Sequence, residues 1–264
     1  LGHIDRRPDG SPLGTLREWH ACDLMFDVAP SRSLDSRVQA LGDACRSMNG
    51  LGITWMQDAW VDDGDEEPYL ALAAQDGLTV NSNLAFRADP DRWRAQLAEF
   101  PERRRRVEAA GYGDLLTART VKFFADGVIE SGTAAVLEPY VGTDDHGMLV
   151  WEPAALTDAV VAYDALRLQV HLHAIGDEGI RSSLDAIAAA RARNPAWDRR
   201  PVVTHVQLVH PDDLPRFAEL GVIANFQAYW AQRDELMDVL TVPRIGEERA
   251  RLQYPMARLL HGTR

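Results

Sequence analysis

The chain has 264 residues, which fits one large barrel or two ordinary domains, and at that size roughly three quarters of the extended surface can be buried. A formal net charge of −12 argues against a phosphate backbone as partner, so no nucleic acid is expected. Cys22 and Cys45 are too few and too far apart for a disulfide framework or a thiolate metal site. A reducing, cytoplasmic setting follows, and with no apolar run near the ~20 residues that cross a bilayer, no membrane partner is expected.

In chain order, residues 1–32 hold the turn formers Pro8-Asp9-Gly10 and Ser11-Pro12-Leu13-Gly14 with little periodicity, and read as an irregular N-terminal segment ahead of a domain over 33–264. Ser33 can cap a helix with Leu34, Val38, Leu41 and Cys45 on one face, ending near Asn49-Gly50. A strand follows at Ile53 to Asp58. The acidic stretch Asp62 to Glu67 lacks the glycine placement and distal glutamate of an EF-hand loop, so it reads as a solvated loop and helix start. A helix is predicted at Tyr69 to Ala74, a strand at Leu78 to Phe86 and a long helix at Pro90 to Ala110. In that helix Trp93, Leu97 and Phe100 mark the apolar side, and the basic run Arg103 to Arg106 reads as a solvated face. Gly111-Tyr112-Gly113 follows a helix rather than a strand, which makes it a helix stop and not a phosphate loop.

A strand around Lys122 comes next, then a connection from Gly127 to Leu149, long enough to suggest a lid or substrate loop over the site. Helices at Glu152 to Leu166, Asp177 to Arg193, Pro211 to Leu220 and Glu247 to His261 then alternate with strands at Gln169 to His173, Pro201 to Val209 and Val222 to Phe226. Six strands alternating with helices imply an α/β fold with a parallel sheet, and the lack of a glycine fingerprint after the first strand favours a barrel over an open sheet.

The chemistry gathers at strand ends. His171 and His173 stand two apart, so their side chains share one face of a strand, a spacing that suits two imidazoles on one cation or a hydrogen-bonded structural pair. His205 ends the following strand and Lys122 stands near the end of the preceding one, where barrel enzymes place reactive groups. Lys122 sits among apolar neighbours. A protonated lysine cannot bind a cation, whereas a carbamate formed with carbon dioxide could bridge two. The plainer alternative, an ion pair with Asp126, suffers because residues four apart on a strand lie about 13 Å apart.

Taken together, Val121-Lys122-Phe123-Phe124-Ala125-Asp126-Gly127 with Thr133-Ala134, then Glu138-Pro139-Tyr140, His173-Ala174-Ile175-Gly176-Asp177, and His205-Val206-Gln207 with Pro211-Asp212-Asp213-Leu214 resemble successive motifs of the amidohydrolase superfamily. The branch that includes N-substituted formamide deformylase is the most similar. Pro12-Leu13-Gly14-Thr15-Leu16-Arg17-Glu18 and Gly52-Ile53-Thr54 with Asp58 resemble that branch's segments before and on its second barrel strand.

The resemblance implies a TIM-type (β/α)8 barrel, incomplete here, covering barrel strands two to seven. It also implies zinc or another divalent metal, one or two ions, held by Lys122, His173 and His205, with Lys122 of the kind relatives often carry carboxylated. His171 has no counterpart as a ligand. Asp58, Asp126 and Gln207 are the expected substrate contacts. The family's His-x-His on strand one and its general-base aspartate on strand eight have no match, which places them outside this sequence and leaves a fragment expected to be inactive alone. The implied activity is hydrolysis of C–N bonds in amides, formamides or cyclic amides by metal-activated water. A lactone or ester hydrolase with the same centre, and a degenerate barrel that only binds a small molecule, are the alternatives. A homo-oligomer is left open.

Overall fold

The computed structural model describes residues 2–261, so Leu1 and the C-terminal Gly262, Thr263 and Arg264 lie outside the described residues. The chain divides into two compact units, one ending at Ser33 and one beginning at Leu34.

The first unit corrects the reading of an irregular N-terminal segment. Strands β1 (His3–Arg6) and β2 (Pro12–Arg17) form an antiparallel hairpin, pairing His3 with Arg17 and Ile4 with Leu16, and helix α1 (Trp19–Phe26) follows. The turn formers close the hairpin instead of loosening the chain. Gly10 takes φ 84°, a conformation open to glycine, while Asp9 accepts from the Ser11 amide at 2.9 Å. Arg17 grips Asp5 across the pair with two nitrogens, at 2.8 and 3.0 Å.

The second unit alternates strand and helix: α2 (Leu34–Gly50), β3 (Trp55–Val61), α3 (Glu66–Ala73), β4 (Asn81–Arg87), α4 (Trp93–Ala109), β5 (Leu116–Phe124), α5 (Pro153–Ala165), β6 (Gln169–Ala174), α6 (Asp177–Arg193), β7 (Val202–His205), α7 (Leu214–Leu220), β8 (Ile223–Asn225), α8 (Val242–Ala250) and α9 (Met256–His261). Strands β3 to β8 lie in sequence order and every pair is parallel. The sheet is curled. Laid flat, β3 and β6 would be about 14 Å apart, three strand spacings, yet Gln57 Nε2 on β3 reaches His171 Nδ1 on β6 at 2.8 Å. This is part of a (β/α) barrel, open along β3 and β8.

Strand alternation sorts the side chains. On β5, Phe123 turns outward to Trp151 and Tyr163, with ring centroids 5.4 and 5.8 Å away, and Phe100 of α4 stacks on Tyr163 at 5.5 Å. Such rings fill the layer between sheet and helices. Lys122, one position earlier, therefore faces the concave side with His171, its register partner on β6. Among the described residues no helix is long and apolar enough to cross a membrane.

Three expectations change. The strand predicted to run to Val209 stops at His205, because His205 and Val206 take φ 77° and 50°. The single terminal helix predicted from Glu247 is two, broken where Tyr254 takes φ 47° ahead of Pro255, whose ring cannot continue a helix. The acidic stretch and the basic run, both read as solvated, meet in an ion pair that buries one member of each: the Glu66 carboxylate is fully buried and is held by the largely buried Arg103 at 2.7 Å and by the half-exposed Arg106 at 2.6 Å. Pairing of this kind offsets the cost of taking the carboxylate out of water. Replacing Glu66→Ala should lower unfolding free energy by about 3 kcal/mol in urea titration by stranding Arg103; a loss under about 1 kcal/mol would show the network to be peripheral.

Candidate active site

The carboxyl ends of β5, β6 and β7 bring the three expected metal-binding side chains to the concave side of the sheet. The rings of His173 and His205 stand edge to face with centroids 4.5 Å apart, and Phe124 packs on His173 at 5.3 Å. Lys122 Nζ lies 4.7 Å from the Phe124 ring centre. His205 is placed by backbone strain: a left-handed conformation is costly for the β-branched Val206, and it ends β7 where the ring meets His173. The strained turn is held by Val206 N donating to Ala174 O at 3.2 Å and Leu208 N donating to Ile175 O at 2.9 Å.

Hydrogen bonds fix which nitrogen of each ring is free. His173 Nε2 donates to Gly127 O at 3.0 Å, leaving the lone pair on Nδ1, and His205 Nδ1 donates to Gln227 Oε1 at 2.5 Å, leaving it on Nε2. Burial, helped by nearby positive charge, pushes His171 down to about 2 and His173 to about 3. Burial also takes His205 to about 4 and Lys122 to about 7. Neutral imidazoles with oriented lone pairs are what a divalent cation such as zinc requires, so this pair fits one. Lys122, only 3% exposed, makes no ion pair among the described residues, and as an ammonium ion it cannot be a ligand. No cluster of three or more His, Cys, Asp or Glu with metal-binding geometry occurs among the described residues.

The expected substrate contacts divide. Gln207 is buried at the wall of a cavity of about 380 Å³ that also takes in His173 and His205. Asp58 borders the concave side near Lys122 and His171 but is already engaged within the fold: Oδ2 accepts from Tyr69 OH at 2.8 Å and Oδ1 from Trp60 N at 3.2 Å. Gln57 beside it reaches His171 on the concave side, while the Asp58 carboxylate reaches Tyr69 on α3. Asp126 is likewise structural. Its carboxylate accepts from the amides of Ala135 at 3.1 Å, Ile175 at 3.0 Å and Gly176 at 2.7 Å, and lies so close to Gly179 that a Cβ there would stand 2.6 Å from it.

The 127–149 connection contributes only its start, Val128 and Glu130, to the cavity. Its later part is tied elsewhere, with Val141 N bonded to Arg244 O at 2.8 Å and Arg249 bonded to Glu138 O and Pro139 O. His146 Nδ1 bonds Val136 O at 3.0 Å and Tyr140 OH donates to Ala134 O at 2.8 Å, so neither faces the site. Sequence reading missed Glu130, in the loop after β5, Gln227, Trp230 and Thr241, in the stretch between β8 and the predicted last helix where no period shows, and Tyr254, which it placed inside that helix.

The family profile of the amidohydrolase family matches residues 1–262. The chain belongs to the amidohydrolase family. It is 29% identical over 278 residues to Protein LONG AFTER FAR-RED 3 of Arabidopsis thaliana, covering 99% of this chain and 45% of that protein. It is 26% identical over 265 residues to the exoenzymes regulatory protein AepA of Pectobacterium carotovorum subsp. carotovorum, covering 96% of this chain and 53% of that one. The fold is similar to the crystal structure of an uncharacterized metal-dependent hydrolase from Pyrococcus furiosus, with a TM-score of 0.76 and 22% identity over 96% of this chain and 50% of that one. The counterpart from Pyrococcus horikoshii OT3 gives 0.73 and 23%, over 98% of this chain and 50% of its own length. The amidohydrolase chain thus spans about half the length of these relatives.

Two outcomes follow for the amidohydrolase chain. Asp126→Asn, which puts an amide donor against backbone N–H groups, should cost about 2–3 kcal/mol by urea unfolding, and an unchanged midpoint would show that the clamp carries no weight. The folded values of His171, His173 and His205 lie below the unfolded value of about 6.5, so the unfolded chain binds protons that the folded one refuses. Metal-free stability should therefore be full above about pH 6.5 and fall as pH drops toward about 4, less steeply in His171→Gln. A midpoint flat over that window would contradict the burial of neutral rings.

Proposed function

We propose that this chain supplies part of the active site of a metal-dependent hydrolase cleaving C–N bonds of amides, formamides or cyclic amides, of the kind represented by N-substituted formamide deformylase. The observation that carries the reading is the His173 and His205 pair, 4.5 Å apart, with lone pairs directed to Nδ1 and Nε2 by their own hydrogen bonds. Those two nitrogens would hold a divalent ion, proposed as zinc, and Lys122 would join them as a carbamate, a single or bridging ligand. When bound, such an ion polarises a scissile carbonyl and brings the pKa of bound water to about 7.

The residues of the chain prepare that chemistry. Gly127 O and Gln227 hold the two rings, Phe124 and burial keep water from the His173 edge, and Gln207, its amide donating to Gln253 Oε1 at 2.9 Å, forms a polar part of the cavity wall on which substrate would rest. A small-molecule amide fits the cavity in scale. The proton acceptor is not Asp126 or Asp177: the first is spent on three amides, and Asp177 Oδ1 accepts from Leu137 N at 2.9 Å. We assign that role to an aspartate in the half of the relatives' length that this chain does not span.

The test is hydrolysis of N-substituted formamides and amides by the full-length protein containing this chain, before and after chelation. Activity should vanish with the metal, return with zinc, and fall about a thousandfold in kcat/KM in His205→Asn. Activity that survives chelation, or an unaffected variant, would overturn the reading. Turnover of lactones with none of amides would reassign the bond cleaved.

A further inference from the structure

Beside the histidine pair, the 380 Å³ cavity is walled on its apolar side by Trp230, Leu236 and Leu240, and among the described residues no lysine or arginine lines it. It nevertheless contains a carboxylate. Glu130, half-buried at the start of the loop after β5, accepts from Thr241 OH at 2.7 Å through Oε1, and Gln207 Nε2 stands 3.5 Å from the same oxygen. Its Oε2 meets no donor among the described residues, and Glu130 makes no ion pair there. Asp234, also in the wall, adds a second negative group, its Oδ1 capping Met237 N at 2.9 Å. Among the buried carboxylates of this unit, Glu66, Asp164 and Asp213 are ion-paired and Asp126 accepts from three backbone amides. Glu130 has neither kind of partner among the described residues.

A carboxylate held in place by a hydroxyl, facing an apolar cavity and lacking a cation, favours an incoming positive charge and repels a negative one. We infer that this pocket selects amides whose apolar frame carries a protonated amine, with Glu130 as the group that recognises it. The inference rests on the hydrolase reading for its scissile bond and adds the substrate class. It makes Glu130 a specificity residue, since nothing places it against a reacting atom. An anionic group placed beside Glu130 is disfavoured by the same charge.

Three probes of matched shape test this on the metal-free full-length protein by calorimetry: para-(aminomethyl)benzamide as the cation, para-ethylbenzamide as its neutral counterpart, and para-carbamoylphenylacetate as the anion. The cation should bind about tenfold tighter than the neutral probe, the anion weakest of all, and the gap between cation and neutral should narrow at high salt. In Glu130→Gln the cation and neutral probes should bind alike. Equal binding of the cation and neutral probes to the unaltered protein, or an anion preference, overturns the inference without any variant. So does an unchanged gap in Glu130→Gln. Because the readout is metal-free binding, a cation preference without turnover would count against the hydrolase reading alone, and turnover without the preference would count against this inference alone.

Discussion

The site depends on where one buried carboxylate places its charge. Asp126 leaves the end of β5 and draws in backbone amides from the following loop, at Ala135, and from the turn between β6 and α6, at Ile175 and Gly176. Three N–H groups on one carboxylate stabilise its charge, and they lock the end of β6, with His173 on it, against the end of β5. The fit leaves no room for side chains at two points. A Cβ on Gly179 would strike the Asp126 carboxylate at 2.6 Å, and one on Gly176 would stand 1.9 Å from Ala135 O. His173 receives its orientation from the same corner, since its Nε2 bond goes to Gly127 O, one residue after the aspartate.

On this frame the concave face collects groups that are neutral or unpaired where a protein core would ordinarily avoid them. Among the described residues His171 keeps a buried Nε2 without a hydrogen-bond partner, and Lys122 is buried against the Phe124 ring beside His171, with no ion pair. Both sit between the strands and the open side of the sheet, whereas the outward face of the same strands is packed with rings and aliphatic chains. Membership in the amidohydrolase family gives that division a meaning: helices and sheet make the stable layer, and the inner strand ends are left to chemistry. The strained left-handed pair at His205 and Val206 belongs to the same pattern, a local cost retained where it aims a ring.

Much of this was legible in the sequence. Alternation of apolar strands with amphipathic helices specified a parallel, barrel-like sheet in sequence order, and residue spacing put Lys122, His173 and His205 at neighbouring strand ends. What was not legible lay in contacts distant along the chain. The bond from Tyr69 to Asp58, eleven residues apart, and the amides near residue 175 that gather on Asp126 have no local signature. Glu66 and Arg103, 37 residues apart, each read as surface because neither shows its partner locally. The hairpin near the N-terminus was hidden by its own turn residues, and Glu130 by a loop without period.

The most direct test of the central claim is anomalous diffraction at the zinc edge from crystals of the full-length protein grown with zinc. The account predicts a metal between His173 and His205, bound through Nδ1 of the first and Nε2 of the second, with Lys122 carrying extra density as a carbamate. A metal bound through His173 Nε2, which would break the bond to Gly127 O, or one held away from both rings, would contradict it.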